Sequence, residues 1–158
     1  MYKMKTIHIL LFLFCFVSFS ASAQTVYSLA DTVVAQRLLK EADIAAFRDQ
    51  KLDIAYAKAD SVRLIFEQIF GKESNQFADA LQAKGKFAMM QGHFDEALAI
   101  GENILALRKK LNGEIHPSVA RAYRNFGEVY AAQSTSPKAI SAFQKAIEIN
   151  EKDRKSVV

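Results

Sequence analysis

The chain has 158 residues, 51% hydrophobic and 24% charged, with one cysteine and two prolines. That is room for one domain, and a single cysteine excludes an internal disulfide framework. The formal charge of +4 falls to +2 without Lys3 and Lys5, and the remaining basic residues alternate with acids, which marks solvated helix faces and excludes a dedicated nucleic-acid surface.

The chain opens with Lys3 and Lys5, an apolar run from Ile7 to Val17 broken only by His8, and a small-residue stretch ending Ala21-Ser22-Ala23. Basic, apolar, small is the order of a cleaved secretory signal peptide, so residues 1–23 are expected to leave and 24–158 to form the domain. The competing reading, a retained anchor, fails on length, because the run is too short for a hydrocarbon core roughly 30 Å thick. Cys15 lies inside this run after Phe14, where a lipoprotein site would need a small residue. The mature chain therefore has no cysteine, and thiol catalysis and thiolate metal sites drop out. An export signal without disulfides fits a bacterial periplasmic or secreted protein.

Beyond residue 28 the apolar residues fall at helical spacing, as in Val34, Leu38, Ala42 and Ala45, then Ala55, Ala59, Val62 and Ile69. Breaks at 48–51, 91–93 and 133–136, and loops opening on Gly71 and Gly113, divide the chain into six helices in three pairs. The spacing predicts 29–48 with 51–70, 75–91 with 94–111, and 118–133 with 137–153. Gly71 and Gly113 suit left-handed closing positions, Pro117 and Pro137 suit first turns, and Ser136 suits an N-cap. No segment alternates at period two, so the fold class is all-α.

These helices repeat. Gly71 and Gly113, Ala78 and Ala120, Gly85 and Gly127, and Ala97 and Ala139 are each 42 residues apart. A shared offset at small residues marks a stacked array, with repeats over about 29–70, 71–112 and 113–153, because no unit buries its apolar face alone. Gly85, Gly127, Ala97 and Ala139 lack bulk where paired backbones must approach, and Tyr123, Phe126, Tyr130 and Phe143 fill the space between neighbours.

The third copy, Tyr123-x-x-Phe126-Gly127-x-x-Tyr130 followed by Ala139, Phe143 and Ala146, resembles the tetratricopeptide repeat in order and spacing. Gly92-His93-Phe94-Asp95-Glu96-Ala97-Leu98 resembles that family's turn. Gly101 departs, standing where an aromatic is usual, and Asp43 replaces the glycine of the first copy. A 42-residue unit with Asn112-Gly113-Glu114-Ile115-His116-Pro117 is similar to the kinesin-light-chain variety. The resemblance implies a right-handed superhelical solenoid of about three antiparallel helix pairs that binds proteins.

Chemistry is sparse. His93 and His116 have no second ligand at metal spacing, and His116 reads as a residue capping the next helix. Asp95 and Glu96 start a helix, where their charge favours the macrodipole. No glycine-rich phosphate loop occurs, and Ser134, Ser136 and Ser141 lie in no nucleophile elbow. No catalytic residue, cofactor or metal is expected, nor any membrane contact beyond the signal peptide.

In such arrays the first helix of each pair lines the concave face, which places Arg37, Lys40, Gln82, Lys86, Met89, Arg121, Arg124, Asn125 and Glu128 on or near a peptide-binding groove. Asn125 stands where the kinesin-light-chain pattern has Asn, a side chain able to pair a peptide backbone as donor and acceptor. Arg37, Lys40, Lys86, Arg121 and Arg124 outnumber Asp79 and Glu128, so an acidic or carboxylate-ended peptide is the expected partner. The last helix carries Ile140 and Ile147 with no polar cap after it. That end is expected either to self-associate or to continue into a signalling or enzymatic module, this chain then being a protein cut short after Val158.

Overall fold

A computed structural model describes residues 30–156; the expected signal peptide lies outside the described residues. The compact unit considered below starts at Ala35. The helices are α1 (30–47), α2 (Leu52–Phe70), α3 (Asn75–Met90), α4 (Phe94–Asn112), α5 (Pro117–Ala132) and α6 (Ser136–Ser156), and no strand occurs among the described residues. Turns of a few residues join α1 to α2, α3 to α4 and α5 to α6, which makes each pair antiparallel.

Hydrogen bonds explain the turns within pairs. His93 N–H donates to the Ala88 carbonyl and Gly92 N–H to that of Met89, with Gly92 at φ 81. One repeat later Thr135 donates to Tyr130 and Ser134 to Ala131, with Ser134 at φ 60. Both are Schellman closures, in which one left-handed residue folds the chain back over the helix end.

The turns between pairs differ from expectation. Gly71 and Gly113 have positive φ, 74 and 82, but ψ of 168 and 173. They occupy the extended positive-φ region that is essentially glycine's alone, rather than the left-handed helical one. The chain here must leave the helix outward to start another pair. Ser74 then caps α3, its Oγ accepting from Phe77 N–H at 3.1 Å. At the same point of the next copy His116 Nδ1 accepts from Ser118 N–H at 3.1 Å, ahead of Pro117 at the first helical position. Ser136 is the first residue of α6 rather than its cap; the Thr135 carbonyl accepts from Lys138 and Ala139 N–H instead.

Alanine dominates the core. Ala42, Ala45 and Ala46 of α1 meet Ala55 and Ala59 of α2, and Phe87 of α3 fills the remaining space. Ala35, Val62, Phe66 and Ala80 form a second cluster across the same three helices. Further on, Ile100 and Ile104 of α4 pack on Ala122 of α5. These clusters each draw on two repeats, so helix pairs are stabilised by their neighbours.

A polar seam adds to this where α2, α3 and α4 meet. Lys84 Nζ lies 3.0 Å from Asp60 and 5.1 Å from the centre of the Tyr56 ring, Tyr56 donates to Glu96, and Arg63 joins Asp60 to Glu67 at 2.8 Å each. Burial pushes the Lys84 ammonium towards deprotonation, but Tyr56 and Asp60 outweigh it and hold its pKa above the usual lysine range.

Glycine contacts set the helix spacing within pairs. A Cβ built on Gly127 would lie 2.5 Å from the Phe143 ring, whereas one on Gly85 would lie 3.2 Å from an Ile100 methyl. Gly127→Ala gains about 1 kcal/mol of helix propensity but forces the ring aside at a cost of about 1–3 kcal/mol. Urea melts should therefore show Gly127→Ala less stable than the parent and Gly85→Ala unchanged or more stable. The reverse order would mean that the Phe143 ring does not set the α5–α6 distance.

Candidate functional site

A cavity of about 450 Å³ lies between α3 and α5. The two helices flank it without packing closely on each other, so its floor is α4, through Ala97, Ile100, Gly101 and Ile104, with Phe126 and Val129 beside them. Its volume falls in the range of small-ligand and side-chain pockets.

Seven of the nine groove residues expected from sequence line this cavity together: Gln82, Lys86, Met89, Arg121, Arg124, Asn125 and Glu128. Arg37 and Lys40 do not. Arg37 instead faces Glu41 on its own helix at 3.9 Å. Leu39 and Asp43 represent α1, and Asp43, standing where later copies have glycine, was not among the expected residues.

The charge balance is correspondingly different. Lys86 pairs with Asp43 at 2.6 Å, Arg121 with Asp79 at 2.8 Å and Arg124 with Glu128 at 3.5 Å. Each rim cation thus carries a carboxylate of the same cavity, and the excess of positive charge expected from sequence is absent. The count changes because Asp43 lines the cavity and Arg37 and Lys40 do not. Asn125 is half-buried on the wall, and its amide has no side-chain partner among the described residues.

Behind the rim sits a residue the sequence reading missed. Arg108 of α4 is 1% exposed. Its Nη2 donates to Asp79 and Gln82 of α3 at 2.8 Å each, and its Nη1 to the Ser118 carbonyl of α5 at 3.0 Å. Burial lowers its pKa and so does Arg121 nearby, against the pull of Asp79. The signal was present in the repeat: Arg108 stands 42 residues after Phe66, a core residue of α2. A cation at an apolar repeat position must be buried with partners or break the register.

No group of three metal-ligating side chains converges among the described residues. His93 lies 4.0 Å from Glu96, and His116 is occupied as the α5 cap.

A family model described as tetratricopeptide repeat matches residues 76–152, from α3 into α6. Among 32 solved chains that match, the crystal structure of BtubC (BKLC) from P. vanneervenii aligns with a TM-score of 0.64 at 24% identity, a likeness of fold. The match covers 75% of this chain and 47% of that one, so this chain spans about half the other's length. No curated protein sequence matches.

Arg108→Met keeps the bulk of the side chain but frees the acceptors on α3 and α5. Denaturant melts should show a loss of about 2 kcal/mol, below the cost usual for a broken buried pair because Asp79 is half-exposed and keeps Arg121. Arg108→Lys should recover little, since one ammonium cannot reach both helices. Full stability in both variants would remove Arg108 as the link between α3 and α5.

Proposed function

This chain belongs to the tetratricopeptide repeat family through residues 76–152, and from that premise we propose that it is an exported, non-enzymatic scaffold. The cavity between α3 and α5 holds a segment of a partner protein. Export rests on the basic, apolar and small-residue order of residues 1–23. The observation that carries the binding reading is Asn125: a half-buried amide without a side-chain partner, on the wall of an apolar-floored cavity. An amide can donate to and accept from one peptide unit, which is how extended segments are held without regard to their side chains. An acidic segment would have to compete with Asp43, Asp79 and Glu128 for the rim cations. It remains one class of partner rather than the required one.

A second surface supports self-association. Ile140 and Ile147 of α6 are 55% and 57% exposed. One repeat earlier the same positions are Leu98, packed against a cluster that includes Val129 of α5, and Leu105, packed against one that includes Val119 and Ala120 of α5. A further helix is what this face of α6 would receive.

Panning a display library of random linear peptides against the protein tests the groove. Selected peptides should bind about fivefold more weakly to Asn125→Ala, the equivalent of ~1 kcal/mol. Peptides indifferent to that change, or a library that yields none, would overturn the groove reading. For α6, sedimentation across a concentration range should show association that Ile147→Lys abolishes; a monomer throughout removes the second surface.

A further inference from the structure

The first and last helices of the stack carry different side chains where a neighbouring pair would meet them. In α3 and α5 one such place is Ala78 and Ala120, both buried, and Ala120 belongs to a cluster against which Leu105 of the preceding pair packs. The same place in α1 is Gln36, which is exposed. At the other end α6 shows Ile140 and Ile147, more than half exposed, where Leu98 and Leu105 of α4 are packed. Helical spacing sets Ser136, Ile140, Gln144, Ile147 and Glu151 in one stripe along α6, and all five are exposed. The side chains of Gln144 and Glu151 have no hydrogen-bond or ion-pair partner among the described residues. Lys145 and Lys152 lie to one side of the stripe, both tied to Glu148, at 3.0 and 2.6 Å.

We infer that this stripe is a two-fold contact, made with α6 of a second copy of the chain running antiparallel to it. The inference rests on the self-association reading and names the face that the second copy brings. Stacking head to tail would set α1 of the next copy on the isoleucines, and there Gln36 would be buried without a partner. The stripe complements itself instead. With the axis passing beside Gln144, Ile140 lies opposite Ile147 of the second copy and Ile147 opposite Ile140. The two Gln144 amides meet at the axis, where each can donate to the other's carbonyl. Glu151 comes to Ser136 of the second copy, at the N-terminal end of its α6, where the helix dipole favours a carboxylate. No like charges within the stripe are opposed, and one patch that matches itself is what an isologous contact requires. A single helix pair with two isoleucines from each copy covers less than the roughly 800 Å² per partner of a standard interface, so the pair is weak and reversible.

Sedimentation and disulfide trapping test it together. On concentration to about 1 mM the protein should approach the mass of a dimer and not pass it, with a dissociation constant on the order of 10–100 µM. In a Cys15→Ser background, Gln144→Cys should be trapped as a disulfide-linked dimer by mild oxidation. Lys145→Cys, turned about 100° round the helix, should be trapped at least about fivefold more slowly. Ile147→Lys, added to Gln144→Cys, should remove the trapping. Should that variant melt abnormally, Ile140→Lys carries the same expectation from the other half of the contact. Equal trapping at the two cysteine positions, or trapping that persists in a folded lysine variant, overturns the inference. Growth beyond two copies that Ile147→Lys abolishes would leave the self-association reading standing while the two-fold falls. A monomer at every concentration removes both.

Discussion

The guanidinium of Arg108 is the contact on which the cavity depends. α3 and α5 meet directly through the Arg121–Asp79 pair rather than through packed faces, so α4 between them holds much of their register. Arg108 rises from α4 between them and bonds to Asp79 and Gln82 on one side and to the Ser118 carbonyl on the other. A buried cation is costly unless its donors are matched, and that cost makes the geometry selective. If α5 slid along its axis, Ser118 would move out of reach and the charge would lose a partner. Asp79, held from behind by Arg108, in turn fixes Arg121 on the wall. The core of one repeat thereby orders the surface of the next.

This also explains what was legible in the sequence. Helix number, pairing and the places of the turns were readable because they follow from local chemistry that recurs at a fixed offset; the conformation of the turns between pairs was not. His116 does cap α5 and Pro117 does open it, whereas Gly71 and Gly113 take the extended positive-φ conformation and Ser136 lies inside α6. Seven residues of the cavity wall were readable too, since the family resemblance assigns the groove to the first helix of each pair and helical spacing then picks the face. Charge was not. Whether a cation on a wall is free or paired depends on which residues of another helix face it, and helical spacing is silent on that. Asp43 illustrates the point: it departs from the repeat's glycine, and only its distance to Lys86 makes it a rim residue. Arg108 was hidden differently, because a basic residue in an amphipathic helix is ordinarily solvated.

An internal repeat supplies its own control. Positions that agree between copies, such as Ala97 and Ala139 or Gly71 and Gly113, are required by stacking or by the turn, since every copy meets the same neighbour there. Positions that disagree cannot all be required by stacking. Phe66, Arg108 and Asn150 share one place: a core residue beneath the first copy, a buried link in the second and an exposed residue in the third. The drift follows burial, as it should when each copy has different company.

The same comparison separates scaffold from site. Asp43 with Ala59, Gly85 with Gly101, and Gly127 with Phe143 are three versions of one pair of repeat positions. The third is filled from within. The first has traded its glycine for a rim carboxylate, closing the question with charge. The second keeps glycine on both helices, and there the Phe126 ring of the next copy stands 3.0 Å from where a Cβ on Gly101 would lie. A void inside a stacked array costs stability, because its walls lose contacts on one side. The third copy avoids that cost with a ring from its own second helix, and the second with a ring from the first helix of its neighbour, so the stack itself decides which residue may stay small.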